Sequence, residues 1–467
     1  MSTLPPESPI RFETNDAFGW IGFAGRLEAF LFTERGFVDG SLVVSLNAPF
    51  GSGKSTFVRM WKNHLDERIA AESKTPMCVL LNAWEDDYCG DPLLSLVDAI
   101  NGELERRSPN SETRQGVAAI KEATKDVGWF MVGMANSAVS HLSGFDPGAA
   151  GEFANAQRTK RSKEPVPDIL SMFQARKAAL QRLKSELGAL FSRTEFPVLV
   201  FVDELDRCRP DFAVQYLETI KHVFDVEGLV FILAVDLAQL ENSARALFGQ
   251  ALNFPEYYRK FAHRNIQLPK PDEHGFRNLV TRYTEKYLHD PGEDSPRRKS
   301  WLNVKNAQRS LIELSSSLRL TPRQIQEAFR ILGHLTAGKH GDKQELYFQV
   351  GAASMFLAFV SIGRPTTIYE IAAGKMRLNE LLKLVVELLP GLDWWAFVLT
   401  MSHSCEGEEL EMRTIHAEFV EHGLIGKETT TEEFQSQLSQ FRREPFGTSM
   451  KLSTIAQKLL AVERFAT

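Results

Sequence analysis

Leu42-Val43-Val44-Ser45-Leu46-Asn47-Ala48-Pro49-Phe50-Gly51-Ser52-Gly53-Lys54-Ser55-Thr56 decides the reading of this chain. The run from Ser41 to Leu46 is short, apolar and rich in β-branched residues, and it ends at Asn47-Ala48-Pro49, which is the pattern of a buried parallel strand. A helical pattern from Thr56 to Leu65 follows the glycines. Between strand and helix, Gly51 and Gly53 are free to take unusual φ/ψ, so backbone N–H groups turn inward toward a phosphate. The helix N-terminus adds a positive dipole end. In the pattern G-x-x-x-x-G-K-[ST], Gly53 is the second glycine, Lys54 reaches the β- and γ-phosphates, and the Ser55 hydroxyl ligates Mg²⁺. Phe50, Gly51, Ser52, Gly53, Lys54, Ser55 and Thr56 are therefore the candidate phosphate-binding residues. Ala48 stands where the pattern has its first glycine, a sterically mild departure.

Three further segments read as buried strands: Met77–Leu81, Val198–Val202 and Leu229–Val235. Amphipathic helices separate them, for example Asp211 to Phe224, where Phe212, Leu217, Ile220 and Phe224 share one face. Strands alternating with helices predict a parallel sheet covered on both sides. Lys54 and Asp203 lie 149 positions apart, far more than the roughly 30 residues of one βαβ unit. An insertion over about 103–193 is expected, with a strong helix from Asp168 to Leu190 and a basic linker at Gln157–Lys163. The expected organisation is α/β: a lead-in segment over 1–40, a parallel-sheet nucleotide-binding core over 41–275, a helical lid over 276–340 and an all-α region over 341–467.

The strand Val198–Val202 runs into Asp203-Glu204-Leu205-Asp206-Arg207. A carboxylate at the tip of a strand next to the phosphate strand is placed to hold Mg²⁺ through water, which assigns Asp203. Glu204 is placed to polarise an attacking water. Arg207 is read as a candidate ion-pair partner of Asp206. Asp236, at the tip of Leu229–Val235, either lies near a γ-phosphate or caps the helix that follows.

Composition sets outer bounds. The chain has 467 residues, 43% hydrophobic and 24% charged, with net charge −6. That is ordinary globular composition, and the charge does not indicate a nucleic-acid partner beyond a local basic patch. Cys78, Cys89, Cys208 and Cys405 are widely spaced with no C-x-x-C pair, which fits a reducing cytoplasm and argues against a zinc or disulfide framework. Two apolar stretches, Gly128–Phe145 and Ala352–Ile362, were weighed as membrane segments. The first is interrupted by Asn136 and His141 and the second is too short, so no stable span is expected.

Six motifs occur in order: Gly51-Ser52-Gly53-Lys54-Ser55-Thr56, Leu81-Asn82-Ala83-Trp84-Glu85, Val202-Asp203-Glu204-Leu205-Asp206-Arg207-Cys208-Arg209-Pro210, Thr219-Ile220-Lys221-His222-Val223-Phe224, Phe231-Ile232-Leu233-Ala234-Val235-Asp236 and Ile266-Gln267-Leu268-Pro269. Together they resemble the KAP family of P-loop NTPases. That family sits within an AAA+/STAND-like class of ATPases that carry an extra strand between the two nucleotide motifs. The resemblance spans roughly 15–335 and implies ATP as the nucleotide, Mg²⁺ as the metal and ATP hydrolysis driving a conformational motor or switch. It also implies assembly as a homo-oligomer or heteromeric complex, and a place in bacterial defence against phage or mobile elements. A nucleotide-gated scaffold with little turnover is the alternative, and a small-molecule kinase a weaker third. Family members often place transmembrane helices in the insertion and often carry Asp where this chain has Glu204. By the same resemblance Arg259 and Arg264, before the strand Ile266–Leu268, sit where an arginine finger is supplied to a neighbouring subunit. Arg323 matches a lid arginine that follows nucleotide state. Each of the three has a surface ion-pair role as its alternative.

Overall fold

The computed structural model describes residues 9–71, 75–107, 118–124, 169–191, 196–288, 305–336, 348–403, 409–442 and 451–466. The membrane candidate Gly128–Phe145 and the basic run Gln157–Lys163 lie outside these residues. Two compact units emerge. One comprises residues 1–16, 20–50 and 54–269, and the other residues 17–19, 51–53 and 270–467.

The first unit is built on five strands: β1 Leu42–Asn47, β2 Cys78–Asn82, β3 Val198–Asp203, β4 Leu229–Val235 and β5 Arg264–Gln267. Every pairing is parallel and the order is β2-β3-β4-β1-β5. β3 and β4 are buried at every position, as expected of parallel strands covered on both faces. The order corrects one expectation. β3 is not the neighbour of β1, because β4 lies between them and pairs with both. The intervening strand is the one the family resemblance called for.

Register fixes what the carboxyl edge of the sheet presents. Asp203 pairs with Ala234 and Asn47 with Val235, so the ends of β3, β4 and β1 finish level. This is the edge of an open parallel sheet where ligands bind. The Asn47 carboxamide fastens it on both sides: Oδ1 accepts the Leu237 N–H at 3.0 Å, and Nδ2 donates to Gln267 Oε1 at 3.2 Å.

Helices cover both faces. The helix Lys54–Ala71 follows the glycine-rich loop and buries Phe57 and Trp61, with Trp61 packing on Phe201 of β3 at 5.1 Å. Helix Pro210–His222 opens on a proline at its first turn, where the missing N–H costs nothing. Its buried face holds Phe212, Leu217 and Ile220, with Phe224 buried just beyond, as the periodicity predicts. The insertion's strong helix runs Ile169–Phe191.

Among the described residues, the regular structure of the second unit is all helix. Helices Glu273–Leu288, Lys305–Ser317 and Pro322–Thr336 share one hydrophobic core with the helices from Phe348 to Ala466, through residues such as Val280, Phe329, Phe356, Trp395 and Leu459. The apolar run Ala352–Ile362 belongs to the helix Phe348–Gly363 at the centre of that core. Among the described residues no helix is long and apolar enough to cross a membrane.

β5 begins earlier than expected, at Arg264, and its first residues are exposed because it is an edge strand. His263 extends its pairing by one step. The His263 backbone N–H donates to the Val43 carbonyl at 2.8 Å, and the His263 Nδ1 accepts the Val43 N–H at 3.0 Å. Burial lowers the imidazole's pKa, and nearby Lys221 lowers it further, while Asp225 acts against them. With a folded value below the ordinary imidazole pKa of about 6.5, this group's contribution is whole above that value and is lost as pH falls through the folded one. The denaturation midpoint of the wild type is therefore expected to drop between pH 7 and pH 5 more than that of His263→Asn, which keeps an acceptor without a titrating ring. Parallel pH profiles of the two proteins would remove His263 from this role.

Candidate functional site

The loop between β1 and the helix Lys54–Ala71 takes the shape its glycines permit. Gly51 has φ of 74° and Gly53 of 102°, values open to glycine at no steric cost. Ala48 needs no such freedom. It continues the ladder by donating its N–H to the Val235 carbonyl at 3.2 Å, so alanine serves where the pattern has glycine. Within the second unit, the Arg323 backbone N–H donates to the Gly51 carbonyl at 3.3 Å. A Cβ added at Gly51 would lie 2.9 Å from the Cβ of Arg323. The Arg323 side chain is exposed.

Lys54 is buried and folds back on its own loop. Its ammonium donates to the Ala48 carbonyl at 2.5 Å and to the Pro49 carbonyl at 3.4 Å, and it faces Asp206 Oδ2 at 3.8 Å. Asp206, which the sequence offers as a candidate partner of Arg207, pairs with Lys54 instead, while Arg207 pairs with Glu204. The Asp206 side chain is 2% exposed, and its Oδ2 accepts the Asp236 N–H at 2.9 Å. The available signal was spacing: Asp206 sits in the middle of a single 3₁₀ turn, Leu205–Arg207, three residues beyond Asp203.

Asp236 caps helix Leu237–Phe248 by accepting the Ala238 N–H at 3.1 Å, which realises the capping alternative. It does more than cap, since its Oδ2 also accepts the Phe50 N–H at 3.2 Å. The tip of β4 is thus tied to the glycine-rich loop through one carboxylate.

Asp203 is 4% exposed, its carboxylate accepts the Glu204 N–H at 3.0 Å, and the Ser55 hydroxyl lies close enough to act on its pKa. Burial raises its pKa, and the nearby Ser55 hydroxyl works the other way. Burial likewise raises Asp206 and lowers Lys54, each opposed by the other's charge. At this edge, burial therefore works against the ionised forms of all three groups. A polyphosphate beside Lys54 and a divalent cation beside Asp203 are the counter-charges that would reverse these shifts. The buried Ser52 hydroxyl lacks a hydrogen-bond partner, another polar atom suited to a phosphate oxygen. The oxygen donors Ser55 and Asp203 suit the hard cation Mg²⁺.

Glu204 adopts φ 61° and ψ 22°, a left-handed conformation uncommon for a residue with a side chain. Its Oε1 lies 3.1 Å from the Arg207 guanidinium. Thr56 follows Ser55 in the first turn of its helix and is exposed. The two finger candidates differ in their surroundings. Arg264 is held by Glu34 at 2.7 Å, whereas Arg259 is exposed at the end of the short helix Phe254–Tyr258.

Removing one partner of a buried pair leaves an uncompensated charge, with a cost on the order of 3 kcal/mol. Asp206→Ala is expected to destabilise the first unit by about that amount in chemical denaturation. Asp206→Asn, which keeps an acceptor for the Asp236 N–H, recovers part of the loss. An unchanged midpoint for Asp206→Ala would mean that Lys54 is satisfied by the loop carbonyls alone.

Comparisons with known proteins follow the same lines. The KAP family P-loop domain matches residues 38–338, more than half of the chain. No curated protein matches the sequence. Solved structures that align with it include the Aeropyrum pernix ORC2 protein in its ADPNP-ADP complexes, at 13% identity, covering 100% of this chain and 98% of that one with a TM-score of 0.34. The Aeropyrum pernix ORC1 protein in complex with DNA aligns at 14% identity, covering 96% and 94% with a TM-score of 0.34. C. elegans PCH-2 aligns at 10% identity, covering 77% and 72% with a TM-score of 0.32. Superpositions this loose carry no weight for fold or function. The family match, the parallel sheet with β4 between β1 and β3, and the glycine-rich loop that follows β1 agree: this chain is a nucleotide-binding P-loop NTPase of the KAP family.

Proposed function

We propose that the chain hydrolyses ATP in a Mg²⁺-dependent reaction and uses it to switch conformation within a larger assembly. The observation that supports this most is the nearness of the Ser55 hydroxyl to the buried Asp203 carboxylate, with Glu204 as the next residue. It brings two metal-binding oxygens together beside a carboxylate able to take a proton.

Phe50 to Thr56 would cradle the phosphates through backbone N–H groups, and Lys54 would exchange its carbonyl contacts for phosphate oxygens. Ser55 and Asp203 would hold Mg²⁺, which when bound neutralises charge developing on the phosphates. Glu204 would orient a water and accept its proton, a task worth roughly 10²–10⁴-fold in rate. Asp236, bonded to the Phe50 N–H, is assigned the role of reporting loop occupancy to helix Leu237–Phe248. Arg323, whose backbone meets Gly51, is assigned the lid role. A cytoplasmic setting follows from the scattered cysteines, and a place in phage or mobile-element defence rests on the family resemblance.

Separating binding from turnover tests the reading. Lys54→Ala is expected to weaken ATP binding, while Glu204→Gln binds ATP normally and hydrolyses it about 10²–10⁴-fold more slowly. Normal binding with no measurable turnover in the wild type, alone or assembled, would favour the nucleotide-gated scaffold.

Assembly is the second part of the proposal. Arg264 already has Glu34 as a partner, so Arg259 is the better candidate to complete a neighbour's site. An exposed arginine adds little to stability, yet against a neighbour's γ-phosphate it is worth about 10³–10⁵ in rate. Turnover per subunit is expected to rise with protein concentration or on adding a partner, and Arg259→Ala to lower turnover more than affinity. A monomer with flat specific activity, indifferent to Arg259→Ala, would place the complete site in one subunit.

A further inference from the structure

We propose that Arg207 is a positioning residue for Glu204, held in place by two exposed aromatic rings, one of them part of the phosphate loop. The inference rests on the hydrolytic reading above and concerns what aims its proposed base.

Four observations converge on Arg207. Its guanidinium lies 3.1 Å from Glu204 Oε1. The same guanidinium carbon sits 4.2 Å from the centroid of the Phe50 ring and 5.6 Å from that of Trp84. Both rings are large apolar surfaces left open to solvent, Phe50 at 41% and Trp84 at 52%, so packing in the core does not account for their placement. Finally, Glu204 has the left-handed backbone conformation, which directs its side chain away from the line of β3.

A glutamate side chain without a partner samples several rotamers, and a base that wanders loses rate, since misplacement by about 1 Å costs on the order of 10²-fold. Proton acceptors in hydrolytic sites are accordingly oriented by a third group. Arg207 supplies that group here. A planar guanidinium suits the task, because one face stacks on an aromatic ring while its edge donates to a carboxylate. The contact engages Oε1 and leaves the second carboxylate oxygen to a water.

Phe50 gives the arrangement a direction. It immediately precedes Gly51, and its N–H is bonded to Asp236. The ring that steadies Arg207 therefore belongs to the segment that phosphates would occupy, so the loop's shape is transmitted to Glu204 through a single side chain. Trp84, in the short helix Ala83–Asp86 that Asn82 caps, anchors Arg207 to the tip of β2.

Single-turnover hydrolysis of radiolabelled ATP, with the full-length chain in excess, reads the rate even when it is slow, and fluorescent-ATP titration reads affinity separately. Arg207→Ala is expected to slow the step by about 10- to 100-fold with affinity unchanged within about twofold. Arg207→Lys, which keeps the charge without the planar face, restores less than half of the loss. Phe50→Leu gives a smaller slowing in the same direction. The deciding measurement is the double variant: in a Glu204→Gln background, Arg207→Ala adds no further slowing. Wild-type rates for Arg207→Ala, or slowing that multiplies with that of Glu204→Gln, overturn the positioning role and leave the hydrolytic reading standing. So does a parallel loss of affinity. A Glu204→Gln protein that turns over at the wild-type rate removes both.

Discussion

The ammonium of Lys54 is buried, and burying a charge is costly unless the surroundings answer it. Much of the first unit's carboxyl edge can be read as that answer. The loop returns the carbonyls of Ala48 and Pro49 to the ammonium, and Asp206 approaches from the turn after β3. Asp206 in turn accepts the N–H of Asp236, and Asp236 accepts the N–H of Phe50. The chain of contacts thus leaves the loop, visits the ends of β3 and β4, and comes back to the loop. Burial still pushes Lys54 toward losing its proton, so the enclosure holds the lysine without fully compensating its charge. A site in that condition gains most from a ligand bearing several negative charges.

None of this would meet without the position of β4. Because β4 pairs with both β1 and β3, the loop after β1 and the acids after β3 are separated by one strand's width, about 5 Å on each side. Direct adjacency of β1 and β3 would crowd the Ser55 and Asp203 side chains and leave Asp236 at a distance. With β4 interposed, the aspartate that follows it falls between the two halves, accepting the Phe50 N–H from one side and donating its own N–H to Asp206 from the other. The spacing of the two halves and the contact between loop and strand tip arise from the same strand.

The apolar runs made the strands legible, because parallel strands buried on both faces carry an unbroken hydrophobic signal, as Leu199 to Val202 and Val230 to Val235 do. Edge strand β5 gave a weaker one. Arg264 and Asn265 are exposed, so polarity hid its beginning and only Ile266 onward looked like a strand. Strand order was not readable from the runs themselves, since nothing in an apolar segment names its neighbour; that came from the resemblance of the motifs to a family. The glycine-rich loop, Asp203 and Asp236 were legible because their spacing is set by covalent geometry. The partners of Asp206 and Arg207 were not. Adjacency suggested that they pair with each other, but consecutive residues of a tight turn face different ways. Asp206 turns inward to Lys54, and Arg207 turns outward to Glu204 and the two rings.

Asp203-Glu204-Leu205-Asp206 therefore delivers three carboxylates to three different partners within four residues. Asp203 stays on the strand and meets Ser55, Glu204 swings aside to Arg207, and Asp206 returns beneath to Lys54. A continuous strand would send alternate side chains to opposite faces, and a helix would place Asp203 and Asp206 on one face. Neither achieves this distribution. The break in regularity is Glu204 itself, whose left-handed backbone costs of order 1–3 kcal/mol where it is not glycine. The strain persists because the Glu204 N–H is satisfied by Asp203 and the Leu205 side chain just after it is fully buried. A turn that only ended a strand would adopt this conformation at less cost with glycine. A glutamate there gives the turn a carboxylate next to Asp203 and within reach of Arg207, a contact that glycine would forgo.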